Sequence, residues 1–180
     1  DQLRQFNFPT TIRFGANAIK ELPAYLKQNN LKAPLIVTDP VIAQLPFFKA
    51  ILTDLKNNSI DAVVFSDIHK NPVKSDVYKG TDAWDNTKRD CIIGIGGGAA
   101  LDVARAIVLR IYHREDLFKY DDLIGGDVYV TNDVPHFITI PTTAGTGSET
   151  GRSAIIADDE THQKKILFSP KLMAKIVFAD

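Results

Sequence analysis

Short apolar runs alternate with amphipathic stretches along most of the chain. Thr11–Phe14, ended by Gly15, predicts a short strand, and Asn17–Asn29 predicts a helix with Asn17 placed to cap it. Leu35–Thr38 is a compact β-type run that stops at Asp39-Pro40. Val41–Asn57 then reads as a helix with Pro46 disturbing its middle, and Ile60–Phe65 as a second strand. The clearest amphipathic helix is Val73–Arg89, where Val73, Val77, Gly80 and Trp84 recur at i, i+4, i+7 and i+11. Cys91–Ile95 is a continuous apolar strand that runs into Gly96-Gly97-Gly98 and then into a helix, Ala99–Tyr112. Phe137–Ile140 predicts another strand, ended by Pro141.

Two stretches depart from this alternation. His113–Pro135 carries six acidic residues and a Gly125-Gly126 pair, and reads as an irregular surface excursion. Ser153–Ala157 and Lys165–Phe168 flank a polar turn at Asp158–Thr161, a hairpin signal, and Ala174–Ala179 reads as a last strand. Continuous apolar strands joined by helices predict an α/β fold: a parallel sheet covered on both faces. That architecture leaves function open.

Composition narrows the field. With 180 residues, the chain suits one domain, or one domain plus part of a second. Its 21 basic and 22 acidic residues give a net charge of −1, and the strongest basic cluster is only Lys164-Lys165. Nucleic acid and anionic membrane surfaces are therefore not expected partners. The single Cys91 precludes an intramolecular disulfide; followed by Ile92 and Ile93, it suits a buried strand position in a reducing, cytoplasmic protein. No signal peptide or membrane span is predicted: the longest apolar segment, Val103–Tyr112, is interrupted by Arg105 and Arg110. The chain opens on Asp1 rather than Met, so its natural start is expected upstream.

Three segments carry candidate chemistry. A buried strand ending in Gly96-Gly97-Gly98, with a helix beginning at once, brings main-chain N–H groups and the positive end of a helix dipole to one place. A pyrophosphate is the natural guest, although glycines alone also allow a tight turn with no ligand. Asp39 follows a strand at the edge where open α/β folds bind ligands. Its carboxylate either accepts hydrogen bonds from a ribose diol or caps the helix after Pro40. Thr139-Ile140-Pro141-Thr142-Thr143-Ala144-Gly145-Thr146-Gly147-Ser148-Glu149 gathers hydroxyls and glycines just past another strand, a composition suited to phosphate and sugar oxygens or to a flexible loop.

Taken together, Gly96-Gly97-Gly98 with Asp102 and Arg105, the Pro141–Glu149 run, Asn71-Pro72, and Gly80 through Trp84 resemble the signatures of the iron-containing alcohol dehydrogenase family, in order from about Phe14 to Asp180. The resemblance implies a Rossmann-like domain with a C-terminal β-hairpin, the nucleotide-binding half of that architecture, spanning residues 1–180. It implies NAD rather than NADP, with a small alcohol or aldehyde as substrate of the intact protein. By resemblance, Gly96, Gly97, Gly98 and Ala99 cradle the pyrophosphate and Asp39 reads the adenosine ribose. Asn71, Asp102, Thr139, Thr142, Thr143 and Ser148 would line the cleft, and Lys164 or Lys165 would approach the cofactor.

The chain departs from the family at two positions: Ala99 stands where Ser is usual, removing a hydroxyl near the phosphates, and Arg105 stands where Lys is usual. Asp102 and Arg105 are also spaced for a helical ion pair. The family's iron or zinc is held in a helical domain expected beyond Asp180. His69, His113, His136 and His162 share no ligand spacing and read as surface or strand-edge residues, so no metal and no catalytic group are expected in this chain, which alone should be inactive. A lone half would expose apolar surface, which leaves a homo-oligomer open. Rival readings are a glycerol-dehydrogenase or dehydroquinate-synthase relative, a non-catalytic dinucleotide-binding module, and a flavodoxin-like mononucleotide domain.

Overall fold

The computed structural model describes residues 10–15, 17–142 and 151–179. Its elements run β1 (Thr11–Phe14), α1 (Leu22–Gln28), β2 (Pro34–Val37), α2 (Pro46–Asn57), β3 (Val63–Phe65), α3 (Lys74–Thr87), β4 (Cys91–Gly96), α4 (Gly98–Ile111), β5 (His136–Pro141), β6 (Ser153–Ala157), β7 (Lys164–Phe168) and β8 (Ile176–Ala179). Six strands form an all-parallel sheet in the order β1-β8-β5-β4-β2-β3, and β6 and β7 form a separate antiparallel hairpin.

Alternation of side chains along each strand divides the core in two. Ile36, Ile93, Ile138 and Ile176 stand in register across four strands and face α1 and α2, packing with Leu22, Leu26, Phe48, Ile51 and Leu55. Leu35, Ile92 and Phe137, one position away, face α3 and α4 with Val77, Val103, Ala104 and Ile107. Gly80 lets α3 lie close on α4, since a Cβ there would sit 2.3 Å from Ile107 Cδ1. The hairpin packs on α4 and buries Ala154, Ile156 and Leu167 in the same cluster, so α4 is covered by the sheet, α3 and β6 together. That explains why α4 is apolar nearly all round rather than along one stripe.

The structure corrects three expectations. Asn17 makes no side-chain cap: it adopts a left-handed φ of 75° before a tight 3-10 turn, Ala18–Glu21, that leads into α1. Pro46 opens α2 instead of kinking it; Leu45 before it is extended, as a residue preceding proline prefers, and the missing N–H falls where a helix needs none. The acidic stretch 113–135 is a packed layer of 3-10 turns rather than a surface excursion: Leu117, Tyr120 and Val130 are buried against the α4 side of the core, as is Asp121. Gly126 permits this packing, because a Cβ would come within 2.2 Å of the Lys119 carbonyl oxygen.

At the amino edge of the sheet, the Tyr25 hydroxyl meets His136 Nε2 at 2.6 Å. Burial holds the His136 pKa below its usual value, assisted by Lys175 and opposed by Asp90, and burial raises Tyr25. The neutral ring therefore accepts from the phenol. Below about pH 6.5 the unfolded chain takes up a proton that folded His136 refuses, so folding stability falls as the pH drops from there toward the lowered folded value. Denaturant unfolding at a series of pH values should show this slope, and His136→Gln should flatten it; an unchanged slope in the variant would refute the pairing. Cys91, buried in the same region, has its thiol pKa pushed up by burial, as suits an inert core position.

Candidate functional site

From β2 the chain moves to β3 on one side, and from β4 it moves to β5 on the other. The crevice between the carboxyl ends of β2 and β4 is thus the topological switch point, where open α/β sheets bind ligands. Two predicted elements, Asp39 and the triple glycine, fall at these two strand ends.

Gly96 closes β4 with a φ of +144°, and a Cβ built there would lie 2.9 Å from Ala100 Cβ, 3.3 Å from Ile42 Cδ1 and 3.6 Å from Asp39 Oδ2. Only glycine lets these strands and the helix meet so closely. Gly97 is the N-cap of α4 and offers no side chain, and the first turn of this 14-residue helix holds no acidic residue. A Cβ on Gly98, the first residue of α4, would touch nothing within 4 Å. The first-turn N–H groups have no acceptor within the helix, so they and the helix dipole face open space suited to an anion.

Asp39 fills the capping role expected of it and leaves its second oxygen at the crevice. Its Oδ1 accepts the Ile42 N–H at 2.8 Å, capping the 3-10 turn Ile42–Gln44, while Oδ2 stays beside Gly96. Thr142 lies exposed at the end of β5, tied to the site by its N–H donating to the Gly96 carbonyl at 3.1 Å. Asn71 is exposed in the loop after β3. A cavity of about 620 Å³ between α1 and α2, lined by Leu22, Pro23, Phe47, Ile51 and Leu55, reaches the same edge at Pro141 and Thr142. Ala99 stands partly buried in the first turn of α4.

Other predicted residues stand behind the crevice. Thr139 is fully buried, in register with Gly94 and Val177, and its hydroxyl has no partner among the described residues. Asp102 and Arg105 approach at 3.8 Å, as their spacing predicted, but their main contacts fasten the hairpin. Arg105, 1% exposed, donates to the Leu172 carbonyl at 3.2 Å and the Ser153 carbonyl at 3.1 Å, and Asp102 accepts the Ile155 N–H. Burial pushes the Asp102 pKa up to about 6 against the lowering effects of Arg105 and that N–H. The two candidate lysines separate: Lys165 Nζ lies 3.9 Å from the buried Asp121 carboxylate, whereas Lys164, the next residue along the strand, is exposed and makes no ion pair among the described residues. Thr143 and Ser148 lie outside the described residues.

Sequence reading missed one polar cluster at this edge. Asp76, fully buried, accepts the backbone N–H groups of His69 and Val73 and also the His69 ring. An aspartate at the third position of a helix after Asn-Pro was the available signal. No three His, Cys, Asp or Glu side chains converge as a metal-ligand set among the described residues, and no helix there is long and apolar enough to cross a membrane.

Residues 9–180 match the family model described as iron-containing alcohol dehydrogenase. The chain is 31% identical to choline dehydrogenase of Bacillus subtilis (strain 168), over 97% of this chain and 43% of that protein. It is 29% identical to NAD-dependent methanol dehydrogenase of Bacillus methanolicus, over 99% and 46%. The crystal structure of 1,3-propanediol oxidoreductase superposes with a TM-score of 0.88 at 27% identity, covering 98% of this chain and 46% of that one. A sulfoacetaldehyde reductase from Bifidobacterium kashiwanohense, solved in complex with NAD+, shares the fold with a TM-score of 0.79 at 22% identity, over 100% and 46%. The chain thus spans less than half the length of these relatives.

Proposed function

Because this chain belongs to the iron-containing alcohol dehydrogenase family, we propose that it is the NAD-binding half of a cytoplasmic enzyme that moves a hydride between a small alcohol or aldehyde and the nicotinamide cofactor. The observation that carries this reading is the uncapped N-terminus of α4 at the switch point, with open space in front of Gly98 and a carboxylate beside Gly96. A dinucleotide fits that donor set: the Gly98 and Ala99 amides hold the pyrophosphate, and Asp39 Oδ2 accepts the adenosine ribose hydroxyls. Because Ala99 offers no hydroxyl, main-chain groups alone carry the phosphate contacts made by the glycine turn.

Bound nicotinamide supplies the hydride acceptor. This chain's residues bind and orient it: Asn71 and Thr142 line the edge, and Lys164 brings a cation toward the phosphates. Asp102, Thr139 and Lys165 support the site from behind, Asp102 and Lys165 by fixing the hairpin and its neighbouring layer. Among the described residues, no three His, Cys, Asp or Glu side chains converge to fit iron or zinc.

Asp39 also sets cofactor choice, since its charge repels a 2′-phosphate. Asp39→Ser should weaken NAD roughly tenfold through a lost charge-assisted hydrogen bond and strengthen NADP. Calorimetric titration of the intact protein with both cofactors checks this; an unaltered NAD:NADP ratio counts against the ribose assignment. The reading as a whole is tested by incubating the intact protein with NAD and short alcohols while following reduced-nicotinamide absorbance. Turnover is the expected result, and refusal of NAD by that protein removes the reading.

A further inference from the structure

The loop joining β3 to α3 folds around one carboxylate. Asp76, with no exposed side-chain surface, receives the Val73 N–H at 3.0 Å and the His69 N–H at 3.1 Å, both on Oδ2. Those two bonds cap α3 and close the loop without any help from the His69 side chain. Oδ1 nevertheless holds the His69 ring at Nδ1, 2.8 Å away, although that ring is 65% exposed. A carboxylate only accepts, so Nδ1 carries the proton and Nε2 of the neutral ring presents a lone pair. A fixed tautomer on an exposed imidazole is a positioned hydrogen-bonding group, which loop closure alone does not require.

The topology locates that group. Val37 stands opposite Phe65 in the β2–β3 pair, and the Thr38 N–H donates to the Phe65 carbonyl at 3.1 Å. Asp39 and the loop holding His69 therefore leave the same edge from adjacent strands. β3 lies on the far side of β2 from the glycine turn of β4. A dinucleotide with its pyrophosphate at Gly98 and its adenosine ribose at Asp39 carries its adenosine toward β3.

We propose that His69, oriented by Asp76, is a second contact for the adenosine half of the dinucleotide, with Nε2 accepting a ribose hydroxyl. This rests on the reading that the crevice binds NAD. It makes Asp76 a positioning residue and gives the site a recognition element beyond Asp39 for the adenosine end.

The test is calorimetric titration of the intact protein and its His69→Ala variant with ADP-ribose and with nicotinamide mononucleotide. The variant keeps both backbone donors to Asp76 and opens Oδ1 to water, so its thermal melt should stay cooperative with only a small loss. ADP-ribose binding should weaken on the order of tenfold, with the mononucleotide unaffected. Unchanged ADP-ribose affinity overturns the proposal. So does an equal loss for both ligands, which would mark the ring as a loop clamp. If the parent protein itself refuses ADP-ribose, the dinucleotide reading fails first and this contact with it.

Discussion

Gly98→Val should abolish dinucleotide binding by the intact protein while leaving its fold standing. A Cβ at Gly98 meets nothing within 4 Å in the protein, so the added methyl groups enter the space assigned to the pyrophosphate. The fold should lose little, because valine is no worse a helix former than glycine and the added Cβ meets nothing. The cost to binding is the loss of close phosphate approach to several N–H groups, and NAD affinity should fall by about a hundredfold or more. Gly96 would be a poor choice for this experiment. At its φ of +144°, and with Ala100 Cβ 2.9 Å from a new Cβ, a substitution disturbs the turn itself. Calorimetry paired with a thermal melt separates the two effects: a Gly98→Val protein that melts normally and binds NAD as before would remove α4 from the site.

Arg105→Met should cost about 3–5 kcal/mol of folding stability, because it strips a buried ion pair of one partner. Arg105 is fixed to the backbone of Leu172 and Ser153, and Asp102 is already held at a raised pKa by burial. Without the guanidinium, Asp102 loses its nearest compensating charge and the hairpin loses its fastening to α4. Asp102→Asn added to Arg105→Met should recover part of the loss, since it removes the stranded carboxylate and leaves an amide oxygen for the Ile155 N–H. Urea titrations of the parent, both single variants and the double variant give the comparison; additive losses in the double variant would show that the two side chains do not act together. The same hairpin carries Lys164, the lysine proposed to approach the phosphates.

The elements of the sheet were legible where a strand is apolar without interruption. Cys91–Gly96 and the inner part of His136–Pro141 are buried on both faces, so both runs are apolar at nearly every inner position, and such runs stand out in a chain of average composition. The glycine turn was legible for a related reason: three consecutive glycines between a strand and a helix have few uses. Asp39 was legible as to position but not as to role, because a cap and a ribose acceptor call for the same residue at the same place. Pro46 misled because periodicity alone does not distinguish the middle of one long helix from a short turn followed by a new helix. The 113–135 layer misled because six carboxylates suggest solvent, whereas the buried Leu117, Tyr120 and Val130 among them are spaced irregularly, as 3-10 turns allow.

The sequence determined by itself that the chain alternates strands and helices, where its glycine turn lies, and which family signatures it carries. These depend on local rules, namely periodicity, backbone freedom and helix termini, that act within a few residues. Only the tertiary structure decided that Arg105 fastens a hairpin 48 residues away, that Lys164 and Lys165 part company, and that His69 is held by a buried aspartate. Those outcomes depend on which groups burial brings together and which hydrogen bonds they must then make. Until the chain closes on itself, no local pattern encodes that choice.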